Sequence, residues 1–193
     1  MKLRIISGTL SRRYITVDKS AQRFRPTQER VRQAVAEALK PRIPGARAAD
    51  FCAGSGAMGI ELLSRGASHV DFVETDRLRG KSIEKHCETF AVGERCRVIV
   101  QDIRRFLNAS PEVYDIIFYD PPYGDAALAA LVPDLTRLLK LGGVMVYERE
   151  KKGTSQGEKL SSAEFNFEVR NYGDTAVEFI TRLKGSGFKG SEV

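Results

Sequence analysis

The 193-residue chain has few of the residues that build disulfide frameworks and zinc sites. It contains three cysteines, Cys52, Cys87 and Cys96, which show no CxxC spacing, and only two histidines, His69 and His86. His86 directly precedes Cys87, so a helix would point their side chains roughly 100° apart, which does not suit a pair of metal ligands. We therefore expect neither a disulfide framework nor a zinc site, and no metal cofactor.

Long apolar runs are also absent from the sequence. No run approaches the roughly 20 apolar residues that cross a membrane, and the first residues, MKLRIISGTLSRR, lack the apolar core of a signal peptide. Hydrophobic residues make up 42% and charged residues 29%, as in ordinary globular proteins. The sequence thus predicts a cytoplasmic monomer with no membrane partner and one main domain.

Positive charge is concentrated near the start of the chain. Residues 1–33 contain nine basic and two acidic side chains, a net charge of +7, whereas the whole chain has +6. Clustered arginine is the electrostatic pattern expected for phosphate binding, although a solvated basic face without a partner stays open as an alternative. The candidate RNA-binding residues are Arg12, Arg13, Arg23, Arg25 and Arg30.

Strand-like and helix-like segments alternate through the centre of the chain, which predicts an α/β fold with a mostly parallel sheet and helices on both faces. Two later segments, FNFEVRNY and TAVEFITRL, predict an antiparallel strand pair. The predicted strands are RAADFCA, HVDFVET, CRVIVQD, YDIIFYD and VMVYERE, and the predicted helices span about 57–65, 77–91, 103–109 and 126–140.

The two ends of the chain differ from this centre. Residues 3–17 predict a hairpin, and an amphipathic helix follows from a Thr27 cap to near Pro41. We expect a basic hairpin extension over 1–22, a Rossmann-like domain over 23–184, and a disordered tail rich in Gly, Ser and Lys over 185–193.

A glycine-rich turn follows the first strand of the predicted sheet. Gly54, Gly56 and Gly59 match GxGxxG, and Glu74 lies 20 residues beyond Gly54. This spacing suits a tight turn that approaches a ligand and an acid that binds ribose hydroxyls. A nicotinamide enzyme and a methyltransferase both need these features. Asp50 favours the second, because a carboxylate beside the turn would repel a pyrophosphate and attract an ammonium group.

Four acids end successive predicted strands, namely Asp50, Glu74, Asp102 and Asp120. A single acid at such a position commonly improves solubility. Four in a row point to function, because open α/β sheets bind ligands at the carboxyl edge of their strands.

The last of these acids opens the segment DPPYG, residues 120–124. Each proline holds the preceding residue extended and has no N–H of its own. The Asp120 carboxylate and the Pro121 carbonyl are therefore available as fixed acceptors for a ligand that donates protons. Tyr123 adds an aromatic face on which an unstacked base can lie. A simple turn after a strand remains the alternative.

Several motifs together resemble those of class I S-adenosylmethionine-dependent methyltransferases that act on exocyclic amines. These motifs are DFCAGSGAMG, VETD, VQD and DPPY. RIISGTLSRRYITV, RFRPTQERVRQAVAEAL, ELLSRGASHVDFVETD and YGDT extend the resemblance to the bacterial family that methylates guanine N2 in small-subunit rRNA. The resemblance covers roughly residues 3–183.

This resemblance implies S-adenosylmethionine as cofactor and small-subunit rRNA as substrate, within an assembled subunit or a late assembly intermediate. It implies catalytic roles for Asp120, Pro121, Pro122 and Tyr123 around the target base. The implied cofactor-binding residues are Asp50, Gly54, Gly56, Glu74, Asp102 and Ile103.

Other functions remain compatible with parts of the sequence. The DPPY segment also suits transfer to adenine N6 or cytosine N4, and a non-catalytic RNA-binding module would keep the basic arm. A nicotinamide oxidoreductase is disfavoured because neither histidine lies at a suitable strand end. Cysteine-based transfer to cytosine C5 is disfavoured because Cys52 lies inside the glycine turn and no Pro-Cys occupies the position of DPPY.

Overall fold

The computed structural model describes residues 1–17, 26–109, 113–160 and 162–183, with the backbone alone for 26–28. The predicted RNA contacts Arg23 and Arg25 and the tail 185–193 lie outside the described residues. The strands are β1 (Lys2–Arg4), β2 (Tyr14–Thr16), β3 (Arg47–Phe51), β4 (His69–Glu74), β5 (Cys96–Val100), β6 (Tyr114–Tyr119), β7 (Leu139–Glu150), β8 (Phe165–Tyr172) and β9 (Thr175–Arg182). The helices are α1 (Pro26–Ala38), α2 (Ala57–Ser64), α3 (Arg77–Thr89), α4 (Ile103–Ala109), α5 (Ala126–Ala129), α6 (Val132–Thr136) and α7 (Gly157–Leu160), with 3₁₀ turns at Lys40–Arg42 and Gly93–Arg95.

A seven-stranded sheet in the order β5-β4-β3-β6-β7-β9-β8 forms the centre of the protein. The first five strands in this order are parallel, while β9 pairs antiparallel with both β7 and β8. The predicted fold class is therefore confirmed. The order reverses between β3 and β6, and ligands of open α/β sheets bind beside such a reversal, outside the carboxyl ends of the strands.

Apolar residues cover both faces of the sheet, as expected for parallel strands with helices on each side. Ala48, Phe72, Phe118 and Val146 belong to one buried cluster, which includes residues of β1, β2 and α1–α3. Their neighbours in sequence, among them Ala49, Val73, Ile117 and Met145, belong to a second cluster with residues of α4 and α6. Successive strand residues thus point to opposite faces, and this alternation decides which strand-end side chains meet.

The β1-β2 hairpin packs directly on α2. The buried Glu61 carboxylate accepts hydrogen bonds from the backbone N–H groups of Ile6 and Ser7, at 2.8 and 3.1 Å. Ser64 Oγ accepts another from Leu10 N–H at 3.0 Å. Leu3, Ile5, Leu10, Ile15 and Val17 are buried in the first cluster. The hairpin therefore holds its exposed basic side chains in a fixed position relative to the sheet.

Two details of the predicted helices are wrong. The segment 126–140 forms α5 and α6 instead of one helix, because Pro133 has no N–H to continue a helix from α5, and Leu139 pairs with Tyr114 in the sheet. Thr27 is not a cap, since α1 already includes Pro26, and proline is favoured in the first helical turn.

None of the helices in the described ranges is long and apolar enough to span a membrane.

Candidate functional site

A large open cleft of about 1550 Å³ lies at the carboxyl edge of the parallel strands. Its floor includes the ends of β3, β4 and β6, and its walls include α3, the start of α4, β2 and the β8-β9 turn. The candidate cofactor residues Asp50, Gly54, Glu74, Asp102 and Ile103 all line the cleft. Asp120, Pro121, Pro122 and Tyr123 line it as well, so the structure brings both predicted groups together.

Four carboxylates project from one face of the sheet into this cleft. Each follows a residue of the first buried cluster by two positions, so the strand alternation places Asp50, Glu74, Asp120 and Glu148 on the same face. All four line the cleft. The electrostatic character of the cleft floor is therefore strongly acidic.

Asp50 is nearly inaccessible, with 2% of its surface exposed. Burial raises its pKa to about 8, and the charge of Glu74 adds to this rise, whereas a hydrogen bond from Gly59 N–H to Oδ2 at 2.8 Å opposes it. Asp50 is thus mainly protonated at neutral pH in the free protein. A cationic ligand in the cleft would favour its ionised form.

Glu74 organises the glycine turn. Its Oε2 accepts the Gly54 N–H at 2.7 Å, and its Oε1 accepts the Asp76 N–H at 2.9 Å. These bonds tie the loop after β3 to the end of β4, with only 5% of Glu74 exposed. Because each carboxylate oxygen has a further lone pair, Glu74 can also accept a ligand hydroxyl.

Gly56 and Gly59 shape the turn from behind the cleft. Gly56 has a φ of +72°, and a Cβ there would lie 2.9 Å from Ile83 Cγ1. A Cβ at Gly59 would lie 2.2 Å from the Phe72 ring. Gly56 is not among the residues that line the cleft, and its positive φ gives it a role in the backbone conformation of the turn; its place beside the cofactor stays a prediction.

Asp102 and Ile103 lie at the start of α4. Asp102 Oδ1 accepts the Arg104 N–H at 2.8 Å, and Oδ2 lies 3.3 Å from the Arg104 guanidinium. The Asp102 side chain is 38% exposed and faces the cleft, so it keeps room for a further donor. Ile103 is buried and supplies an apolar part of the wall.

The DPPY corner begins where β6 ends. Pro121 is buried and Pro122 exposed, while Asp120 is half-buried. Burial raises the pKa of the Asp120 carboxyl well above its usual range, and the charges of Glu148 and Asp50 raise it further. Burial and these charges thus disfavour the ionised form of Asp120 in the free protein, and positive charge in the cleft would favour it.

Glu148 and Thr175 complete the corner and were not predicted from the sequence. The Tyr123 hydroxyl lies 3.1 Å from Glu148 Oε1, to which it donates, and 2.9 Å from Thr175 Oγ1. The Tyr123 ring is still 38% exposed. A carboxylate inside the apolar strand VMVYERE and the YGDT turn were the available signals, but neither segment alone reveals contact with Tyr123.

Cys52 is unsuited to nucleophilic chemistry. Burial raises the pKa of its thiol to about 12, and the charges of Glu74, Asp120, Asp50 and Asp102 contribute to the rise. Since the thiolate is the nucleophilic form, a thiol that stays protonated at neutral pH is inert.

Basic and aromatic side chains also line the cleft or contact residues that line it. Arg13 is exposed, with its guanidinium 5.6 Å from the centre of the Phe90 ring, and Arg79 and Lys85 of α3 line the cleft. The predicted RNA contacts Arg12 and Arg30 are exposed but do not line the cleft. Arg104 and Tyr14 also belong to the lining.

Across the described ranges, no group of three or more His, Cys, Asp or Glu side chains is arranged to hold a metal ion.

Comparison with known proteins identifies the family. Residues 3–181 match the family described as conserved hypothetical protein 95. The chain is 36% identical over 122 residues to ribosomal RNA small subunit methyltransferase D of Escherichia coli K12, an alignment that spans 63% of this chain and 61% of that protein.

Solved structures agree with this assignment. A hypothetical protein of Thermus thermophilus superimposes with a TM-score of 0.76 at 28% identity, over 92% of this chain and 98% of that one. A 16S rRNA N2 methyltransferase of the same species, solved with AdoMet and guanosine, shares the fold with a TM-score of 0.73 at 23% identity, over 95% of this chain and 50% of that one. The family identified from the sequence is thus confirmed, and the chain belongs to the conserved hypothetical protein 95 family, whose relatives include the small-subunit rRNA methyltransferases D.

Proposed function

We propose that this protein transfers a methyl group from S-adenosylmethionine to the exocyclic N2 amine of a guanine in small-subunit rRNA. The observation that carries the proposal is the acidic cleft floor, where Asp50, Asp120 and Glu148 have raised pKa values beside a corner without N–H donors. Such a floor favours a cationic ligand and an amine that donates hydrogen bonds.

The cleft residues fit the cofactor by their chemistry. When bound, S-adenosylmethionine supplies the electrophilic methyl group. Asp50 provides a negative charge for an ammonium group beside the Gly54 turn. Glu74 can accept from ribose hydroxyls, and Asp102 can accept from an adenine amine at the mouth of the cleft. The apolar side chain of Ile103 can pack against a ring.

The DPPY corner would orient the amine. The guanine N2 lone pair is delocalised into the ring, so the nitrogen becomes nucleophilic when acceptors hold its hydrogens. Asp120 and the Pro121 carbonyl can do so, and the raised pKa of Asp120 suits its carboxylate to receive the proton that the nitrogen loses. Tyr123 offers its exposed ring to a base swung out of its stack. Orientation and electrostatics are then the main catalytic terms.

The basic side chains at the cleft support an RNA partner. Arg79, Lys85 and Arg104 line the cleft and Arg13 lies against Phe90, which lines it too, so these cations can contact a phosphate backbone while one base enters the cleft. We infer that the monomeric protein acts on assembled small subunits or late assembly intermediates, because a chain of this size has little surface beyond the cleft with which to read a sequence.

The first test is cofactor binding followed by transfer. S-adenosylhomocysteine should raise the melting temperature of the protein, and NADH should not. Labelled S-adenosylmethionine should then methylate small subunits that lack the modification, faster than it methylates protein-free rRNA, and digestion should yield N2-methylguanosine. Stabilisation by NADH alone, or a label on adenosine or cytidine, would contradict the proposal. Equal rates on both substrates would refute the preference for assembled particles.

A further inference from the structure

Glu148 lies next to the proposed amine acceptor on the neighbouring strand. β6 and β7 are parallel, with Tyr119 opposite Tyr147, so Asp120 and Glu148 occupy the next positions along the two chains. Neighbouring strands lie about 4.8 Å apart, and the same register places both side chains on one face. The charge of Glu148 contributes to the raised pKa of Asp120, which places the two carboxyls within electrostatic reach.

The two oxygens of Glu148 have different surroundings. Oε1 accepts the Tyr123 hydroxyl, whereas Oε2 accepts no hydrogen bond from the described residues. The side chain is only 5% exposed, yet it lines the cleft. Since Oε2 belongs to a residue that lines the cleft, it can accept a hydrogen bond from a ligand there.

The nucleobases differ in the atom beside the amine. In guanine the N2 amine lies between two ring nitrogens: N3, which accepts, and N1, which carries a hydrogen and donates on the Watson–Crick edge. In adenine and cytosine the ring nitrogen next to the exocyclic amine accepts. An ionised carboxylate is an acceptor only. With a cationic cofactor in the cleft favouring the ionised form of Glu148, a second carboxylate beside the amine acceptor pairs with guanine and is repelled by the other two bases.

We propose that Glu148 is a specificity-determining residue that accepts the N1–H of the target guanine while Asp120 and Pro121 hold its N2 amine. The inference rests on the proposed function and names the feature that selects guanine at the same site. Glu148 also holds Tyr123 through Oε1, so one side chain connects the base edge to the stacking ring.

The test uses 2-aminopurine, which keeps the amine of guanine but has an accepting N1. Once the methylated nucleotide is known, small subunits are reconstituted with guanine or 2-aminopurine at that position, and kcat/KM is measured on each. Wild type should prefer guanine by at least about tenfold, as expected for a hydrogen bond to a charged group. Glu148→Gln, whose amide can donate to an accepting N1, should reduce this preference by roughly tenfold.

Two further variants distinguish the selection of guanine by Glu148 from its support of Tyr123. Tyr123→Phe removes the hydroxyl held by Glu148, so it should lower kcat on both substrates and leave the preference for guanine unchanged. Glu150→Gln, at the exposed end of the same strand, should behave as wild type. S-adenosylhomocysteine affinity and melting temperature, measured for every variant, verify that the cofactor half and the fold are intact.

The outcomes distinguish the two proposals. Wild type that methylates no guanine in small subunits refutes the proposed function. Wild type that methylates guanine but accepts 2-aminopurine equally, or Glu148→Gln with an unchanged preference, overturns the role of Glu148 and leaves the proposed function standing.

Discussion

Buried carboxylates at the two ends of the sheet have opposite surroundings. At the amino end, Asp71 of β4 is fully buried and accepts hydrogen bonds from the Arg47 and Arg97 guanidiniums at 3.1 and 2.9 Å and from the Tyr114 hydroxyl at 2.7 Å. At the carboxyl end, Asp50 accepts one backbone N–H at 2.8 Å. The first acid is matched by donors inside the protein, whereas the second is only partly matched.

The difference separates structural acids from those available to a ligand. A buried charge is tolerated when it is paired and hydrogen-bonded, and otherwise the group takes up a proton. Glu178 follows the first pattern, because it accepts from the Arg149 guanidinium and from the N–H groups of Gln156 and Gly157. Asp120 and Glu148 differ, since burial raises the pKa of both and disfavours their charged forms. A ligand that brings positive charge and N–H donors would therefore be stabilised most in the cleft.

Asp120→Asn should have the largest effect, a loss of methyl transfer. The amide keeps the size of the side chain but presents a donor to the amine and cannot receive its proton. We expect kcat to fall by about 10²- to 10³-fold or more, with cofactor affinity within a few-fold of wild type. Single-turnover transfer and calorimetry measure the two quantities. Asp134→Asn, a half-exposed acid on α6, is the control, and a variant at Asp120 that retains turnover would remove it from the mechanism.

Asp71→Asn should act on stability instead. It removes the buried negative charge and one of the two acceptor oxygens that two arginines and a tyrosine share, and we expect a loss of roughly 2 to 3 kcal/mol in the free energy of unfolding, reduced because both arginines are partly exposed. Denaturant titration measures the loss. Methyl transfer per folded molecule should stay at the wild-type value, and a selective loss of transfer would contradict the division between the two ends.

Glu74→Ala should weaken cofactor binding by at least about tenfold, because hydrogen bonds to a charged group contribute roughly 1.5 to 3 kcal/mol. Calorimetry with S-adenosylhomocysteine measures the affinity. Glu74 also holds Gly54 N–H, so Glu74→Gln serves as a milder variant with the same shape. Unchanged affinity in both variants would place the cofactor elsewhere.

Removal of the arginines near the start of the chain should have the smallest effect, a weaker salt dependence of RNA affinity. If they contact phosphates, replacing Arg12, Arg13, Arg23 and Arg25 with alanine should flatten the dependence of log affinity on log salt by roughly 0.7 to 0.9 per lost contact. Cofactor affinity should not change. Arg137→Ala, which changes an 80%-exposed arginine just after α6, is the control. A quadruple variant with the wild-type slope would identify the basic excess as a solvated face.

Much of the cleft could be predicted from sequence because its residues follow strands in register. Asp50, Glu74 and Asp120 each end a strand, and parallel strands bring such ends to one edge whatever the loops do. The hairpin and the antiparallel β8-β9 pair were also predictable from alternating apolar residues and turns.

The missed features depend on contacts that no local pattern contains. Glu148 reaches Tyr123 because β7 lies beside β6, and Thr175 reaches it because β9 lies beside β7 in the sheet. The raised pKa of Asp50 results from burial, which spacing alone cannot reveal. The segment 126–140 has helical composition, but pairing of Leu139 with Tyr114 outweighs that propensity.

Proton release on cofactor binding tests the central claim most directly. Burial holds Asp50 mainly protonated in the free protein, so a cationic ligand should expel its proton, and affinity should rise with pH until about 8, where Asp50 ionises unaided. Calorimetry of S-adenosylmethionine binding at pH 7, in buffers of different ionisation enthalpy, counts the protons. We predict that wild type releases about one proton and that Asp50→Asn releases fewer, with a flatter pH dependence. Binding without proton release, at an affinity constant from pH 6 to 8, would contradict the account.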